Sequence, residues 1–211
     1  MTSFPTGVIC DAARDLWGLE KVRGQIPAGP WKVSAGAPVL GPVHTLRVSR
    51  TLSPTGTALD DYFTAIDLVP DGAVVVVEAV GDVGGAIIGD AVATRLVAQG
   101  VAGLVVDGDV RDYQGILGTG ISSWVRSARV DGVVMKEMLV EHGVEVRCGG
   151  VSVSPGDLVG GDADGILVIP AGESDAVLEA AASLDAAEHE MFALLGTGAS
   201  LAHVYHSTGR A

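Results

Sequence analysis

Asp90 and the adjacent pair Arg111-Asp112 are the residues of this chain best equipped to do chemistry, and 20 residues lie between Asp90 and Arg111. Arginine presents a planar, permanently charged fork that matches a carboxylate. Aspartate presents hard oxygens suited to a divalent cation such as Mg2+ or Mn2+. Side by side, they place an anion clamp next to a metal ligand, which suits an enzyme acting on a small organic acid. Glycines at 84, 85, 89 and 108 flank the segment and allow close backbone approach.

The elements that must position these groups follow from periodicity. AVVVVEAV and GLVVDG are apolar runs without polar alternation, as expected of strands covered on both faces. Between them, Ile88, Val92 and Leu96 fall on one stripe, so residues 84–99 are expected to be helical, with Gly100 at the C-terminal cap. Strand, helix and strand in succession predict a parallel crossover, whose ligands collect beyond the carboxyl ends of the strands. Arg111-Asp112 lies just past such an end.

Elsewhere, residues 6–19 read as an opening helix and PVLGPVHTLRVS as a strand with a Gly-Pro interruption. A short helix is expected around Asp60 to Ile66. SSWVRSARV, VEVRCGGVSV and GILVIP read as strands of a mixed sheet, separated by turns that include SPGD and GGDADG. A long helix is expected from Glu173 to Leu195. The tail, 196–211, has weak periodicity and is expected to be disordered or packed on a neighbouring subunit. No repeat or internal domain boundary stands out.

Composition bounds the function. A chain of 211 residues, 48% hydrophobic, buries a substantial core. A formal charge of −13 argues against nucleic acid as a partner, since phosphate binding needs clustered Lys and Arg. With 4% aromatic residues there are few rings on which bases could stack. Cys10 and Cys148 are expected as buried free thiols, in keeping with a reducing, cytoplasmic setting. No basic leader followed by a long apolar stretch is visible, and no segment reaches the ~18 apolar residues of a membrane span.

Other candidates have plainer explanations. Asp90 alone could be a favourable charge early in a helix, and an isolated Arg-Asp dipeptide is usually a surface pair; the position after GLVVDG and the spacing from Asp90 favour function. Asp107 and Asp109 could be ligands, although carboxylates near glycine are ordinary turn formers. GGDADG, with Asp162 and Asp164, lacks the spaced ligands and closing Glu of a calcium loop and reads as a turn. His44, His142, His189, His203 and His206 show no paired metal spacing, and Ser152 and Ser154 lie in strand alternation without a nucleophile elbow.

The order Asp90, twenty residues, Arg111, Asp112 resembles the RraA-like family, which includes class II pyruvate aldolases, typified by 4-hydroxy-4-methyl-2-oxoglutarate aldolase, and the regulator of ribonuclease activity A. ICDAARDLWG, LGPVHTLRV and RCGGVSVSPGDLVGGDADGILVIP extend the resemblance over nearly the whole chain. ISSWVRSARVDG, residues 121–132, departs from the family pattern, which usually carries a Pro before an aromatic residue there. This bears on substrate preference.

The resemblance implies an α/β fold, a three-layer mixed-sheet sandwich of the swivelling phosphohistidine-domain type, in one domain spanning 1–211. It implies a divalent metal, Mg2+ or Mn2+, held directly by Asp112. The backbone of Gly89, Asp90, Ala91 and Val92, with the Arg111 side chain, would hold the pyruvate moiety of a small 2-oxo acid. Asp90 would orient a water in the metal's shell for proton transfer, making Arg111 and Asp90 the catalytic pair. Glu188 would come from a neighbouring subunit of a homotrimer or dimer of trimers, with His189 and Glu190 as competitors for that place. The activity implied is retro-aldol cleavage of a 4-hydroxy-2-oxo acid and decarboxylation of oxaloacetate through one enolate. The alternatives are a noncatalytic regulator of ribonuclease activity, or an enzyme on this scaffold with another substrate; no nucleotide-type glycine loop supports a methyltransferase.

Overall fold

The computed structural model describes residues 3–18, 24–29, 31–34, 38–134 and 137–208. In chain order the elements are α1 (Thr6–Trp17), β1 (Gln25–Pro27), β2 (Lys32–Ser34), β3 (Val39–Arg50), α2 (Ala58–Asp67), β4 (Val74–Val80), α3 (Asp90–Ala98), β5 (Gly103–Val110), α4 (Tyr113–Gly118) and β6 (Ser122–Ala128). There follow β7 (Met138–His142), β8 (Val146–Cys148), β9 (Val151–Val153), β10 (Leu158–Asp162), β11 (Gly165–Ile169), α5 (Ser174–Gly196) and α6 (Leu201–Thr208).

Strands β3, β4, β5 and β6 run parallel, joined by α2, α3 and α4, and form the centre of a mixed sheet of order β1-β11-β10-β3-β4-β5-β6-β2. The outer strands and β7, which pairs with β3, are antiparallel. The central strands are β-branched and buried on both faces. Val75 and Val77 of β4, with Leu104 and Val106 of β5, face α2 and α3, whereas Val74, Val76 and Val105 face the opposite core with Trp124. The sheet curls until β6 meets β10, where the Trp124 indole N–H donates to the Asp162 carbonyl at 2.9 Å. A Cβ on Gly161 would stand 2.7 Å from the Trp124 ring, so this contact requires glycine. A third core joins α1 and α5 to β10 and β11 through Ile9, Ala12, Ile169 and Val177.

Several expectations from the sequence need correction. The helix expected over 84–99 begins only at Asp90; Gly84, with positive φ, and Gly85 form a bend, and residues 86–88 are drawn out because their backbone groups pair with 109–111 and 131–133 rather than with one another. β3 is continuous through Gly41-Pro42, since Pro42 sits where pairing with β10 ends and pairing with β4 begins. VEVRCGGVSV folds into a hairpin, β8–β9, at Gly149 and Gly150, both with positive φ. The tail is helical over Leu201–Thr208, packs on α5 and buries Val204. Cys148 is buried as expected, but Cys10 is partly exposed.

Candidate active site

β5 ends at Val110, which is fully buried, so the next two residues are delivered to a fixed point at the carboxyl edge of the sheet. Arg111 is held by its backbone N–H, which donates to the Ile88 carbonyl at 2.9 Å. Asp112 follows with φ 53° and ψ 40°, the one non-glycine residue with positive φ among the described residues. Such a conformation costs free energy in a non-glycine residue and clusters at functional sites, although aspartate tolerates it better than most. It turns the chain into α4 and leaves both side chains half-exposed, with Arg111 Nε 3.1 Å from Asp112 Oδ2.

Opposite them lies the start of α3. Gly89 is its N-terminal cap, in extended conformation and with no side-chain cap bond. The first backbone N–H groups of a helix have no intrahelical partner, and the helix dipole makes this end attractive to anions. Residues 86–88 fix the position of that helix start by pairing along both edges. Ile87 N–H donates to Asp109 O at 2.9 Å, Ala86 N–H to Asp131 O at 3.0 Å, and Val133 N–H to Ala86 O at 3.0 Å. The buried Tyr62 hydroxyl of α2 donates to Ile87 O at 2.6 Å, and burial pushes that phenol far above its ordinary pKa.

These pieces enclose a cavity of about 230 Å3 lined by Gly89, Asp90, Ala91, Val92, Arg111 and Asp112. Glycines make the close approach possible. A Cβ on Gly132 would stand 3.1 Å from Arg111 Nη1. A Cβ on Gly115 of α4 would come within 2.6 Å of Asp90 Oδ2, so that residue leaves room for the carboxylate.

Sequence reasoning missed the remaining walls of this cavity: Leu59 and Tyr62 of α2, the extended segment 86–88, and Gly132 with Val133. Leu59 and Tyr62 carry no local signal beyond helical spacing. Gly132, at the end of the segment that departs from the family pattern, was the one available pointer.

A family model for RraA-like proteins, described as Aldolase/RraA, matches residues 6–168. The chain belongs to the RraA-like family. A relative from Halalkalibacterium halodurans, named "Putative 4-hydroxy-4-methyl-2-oxoglutarate aldolase", is 34% identical over 179 residues, covering 85% of this chain and 79% of the relative. Among solved structures, Streptomyces coelicolor RraAS2, described as an unusual member of the RNase ES inhibitor RraA protein family, aligns with TM-score 0.73 and 27% identity over 91% of this chain and 93% of that one. The RNA-processing inhibitor RraA from Thermus thermophilis aligns with TM-score 0.62 and 26% identity, over 81% and 94%. This RraA-like chain is therefore similar in fold to proteins described as inhibitors and similar in sequence to one named as a putative aldolase.

The other candidates fall outside this cavity. Glu188 lies partly buried on α5, and His189 donates from Nδ1 to the Asp185 carbonyl at 2.8 Å on the same helix. Asp107 and Asp109 are in β5 rather than in a turn and are engaged by Arg126 and Arg129. Asp162 ends β10 and accepts from the Thr6 backbone and hydroxyl, both at 2.7 Å, tying α1 to the sheet. Among the described residues, no helix is long and apolar enough to cross a membrane.

Proposed function

We propose that this RraA-like protein is a divalent-metal-dependent lyase that cleaves a 4-hydroxy-2-oxo acid to pyruvate by retro-aldol reaction and decarboxylates oxaloacetate through the same enolate. The observation that carries the reading is the convergence, in one cavity, of Arg111, two carboxylates and the open start of α3.

Arg111 and the amides of residues 89–92 bind the carboxylate and 2-oxo end of the substrate from two sides. Asp90 orients a water that accepts the proton of the C4 hydroxyl. As that proton leaves, the C3–C4 bond breaks, the carbonyl product departs, and the bonding pair enters the C2–C3 enolate. Protonation at C3 then yields pyruvate. In oxaloacetate the bond to the C4 carboxylate breaks instead, releasing carbon dioxide to give the same enolate.

Asp112 is the residue to hold the metal. Among the described residues no cluster of three or more His, Cys, Asp or Glu is placed to cage an ion. Asp112 and Asp90 line the cavity, however, and a hard cation that keeps several waters needs only one or two carboxylates. This donor set fits Mg2+ or Mn2+, which when bound supplies Lewis-acid stabilisation of enolate charge. A homotrimer or dimer of trimers, with Glu188 supplied by a neighbour, completes the proposed site.

The test is pyruvate release from oxaloacetate and a panel of 4-hydroxy-2-oxo acids, with Mg2+ or Mn2+ and with chelator. Metal-dependent release is expected; no release from any substrate overturns the reading. The two inhibitor structures favour a second reading, a noncatalytic regulator, which predicts instead that the protein captures a ribonuclease and releases no pyruvate.

A further inference from the structure

The extended segment 86–88 sets where α3 begins, because Gly89 has no side-chain cap bond to do so. Its backbone is fixed from both sides. Ala86 pairs with residues 131 and 133, the Ile87 N–H with Asp109 O, and the Ile88 carbonyl with the Arg111 N–H. The Ile87 carbonyl takes its hydrogen bond from a side chain instead, the Tyr62 hydroxyl of α2, 2.6 Å away.

Tyr62 is 4% exposed and lines the cavity. A buried carbonyl deprived of its donor costs free energy, so removing the hydroxyl would draw Ile87 toward another partner. α2 itself would stay in place. The Gln99 amide at the opposite end of α3 donates to the carbonyls of Ile66, Asp67 and Val69 at 3.1 to 3.3 Å, and Arg95 meets Asp67 at 2.8 Å. What shifts is therefore segment 86–88 and the helix start that it carries. The contact lies inside the chain, so a neighbouring subunit neither makes nor breaks it.

We propose that Tyr62 is a positioning residue: by holding the Ile87 carbonyl, it sets the amides of residues 89–92 at the spacing from Arg111 that the carboxylate and 2-oxo end of the substrate requires. This rests on the lyase reading above. The hydroxyl proton is committed to Ile87, and burial keeps the phenol protonated, so Tyr62 exchanges no proton with the substrate. The charge of the bound carboxylate does not change as the C3–C4 bond breaks. Displacing the amides therefore weakens substrate and transition state alike, which raises KM rather than lowering kcat.

The experiment measures kcat and KM for oxaloacetate, or for whichever 4-hydroxy-2-oxo acid the parent cleaves, with the full chain and Mg2+, in the parent, Tyr62→Phe and Gln99→Ala. Tyr62→Phe keeps the ring and removes only the hydroxyl. Its KM should rise about tenfold with kcat changed less than about twofold, and amide hydrogen exchange should quicken at residues 88–92 more than in the rest of α3. Gln99→Ala loosens α2 from the far end of α3; it should lower the thermal midpoint and leave KM unchanged. An unchanged KM in Tyr62→Phe overturns the assignment, as does a loss confined to kcat, which would put the hydroxyl on the reacting atoms. An equal rise of KM in both variants, or uniform quickening of exchange along α3, also overturns it by reducing the effect to general loosening. Each of these outcomes leaves the lyase reading standing, whereas a parent that releases no pyruvate from any substrate overturns both.

Discussion

Two pairs of carboxylates lie on or near the same stretch of chain, and they have opposite fates. Asp107 and Asp109 sit within β5 and are consumed by structure. Asp107 accepts from Arg126 Nε at 2.6 Å and from the Gly149 backbone at 2.7 Å, tying the hairpin β8–β9 to the sheet. Asp109 accepts from the Ser127 hydroxyl and lies 3.4 Å from Arg129. Asp107 and Asp109 also border a cavity, together with Arg126, so facing a cavity does not by itself distinguish the pairs; Asp90, at the start of a helix, and Asp112, in a left-handed turn, line the one that also holds Arg111. An acidic cluster is therefore not a site by composition. What separates the two pairs is whether neighbouring strands supply the groups that use up the lone pairs.

That contrast can be broken experimentally. Arg111→Ala should lower kcat/KM for pyruvate release by about 100- to 1000-fold, the usual loss when one oriented donor is removed, while the thermal midpoint stays close to that of the parent. A fall in stability with unchanged activity would move Arg111 into the structural class. Gly115→Ala should cost about 10- to 100-fold in activity, since the added methyl intrudes on Asp90 and small misplacements of reacting groups are expensive. The same methyl would stand 2.7 Å from Asp90 Cβ, so α3 and α4 must shift apart, and the gain in helix propensity is expected to be offset by that strain. Full activity in the variant would show that Asp90 need not stand where it does.

Asp107→Asn should behave in the opposite way, destabilising the fold by about 1–3 kcal/mol in denaturant titration while leaving kcat of the folded protein unchanged. Loss of activity without loss of stability would erase the distinction between the pairs. The smallest effect is expected at His44, whose Nε2–H donates to the Ala65 carbonyl at 3.1 Å. Burial, and next in the same direction the nearby His142, lower its pKa, partly opposed by that hydrogen bond. The unfolded chain therefore binds the proton more readily. The stabilising contribution is complete above about pH 6.5 and declines as pH falls below it. Thermal melts of His44→Gln between pH 7 and pH 5 should show a slightly flatter loss of stability than the parent, and a steeper loss would reverse the assignment.

Much of the central unit was legible from local pattern. The valine run of β4 and GLVVDG of β5 announce buried strands because a strand covered on both faces leaves no polar alternation. Arg111-Asp112 was legible because a buried strand must end at an edge. The start of α3 was not legible: Ile88 continues the helical stripe, yet residues 86–88 are drawn out by partners at 109–111 and 131–133. Nor were the remaining walls of the cavity, since Leu59 and Val133 meet the site only through tertiary packing.

Sequence by itself determined which residues carry charge, which segments must be buried, and the spacing that brings an acid, an arginine and a second acid to one edge of a sheet. Tertiary structure alone decided which carboxylates face the cavity, where the helix begins, and what lies across from Arg111. The physical reason is range. Side-chain periodicity is written between neighbours three or four residues apart, whereas backbone pairing between distant segments, and the neutralisation of Asp107 and Asp109 by Arg126 and Arg129, exist only once the sheet has closed.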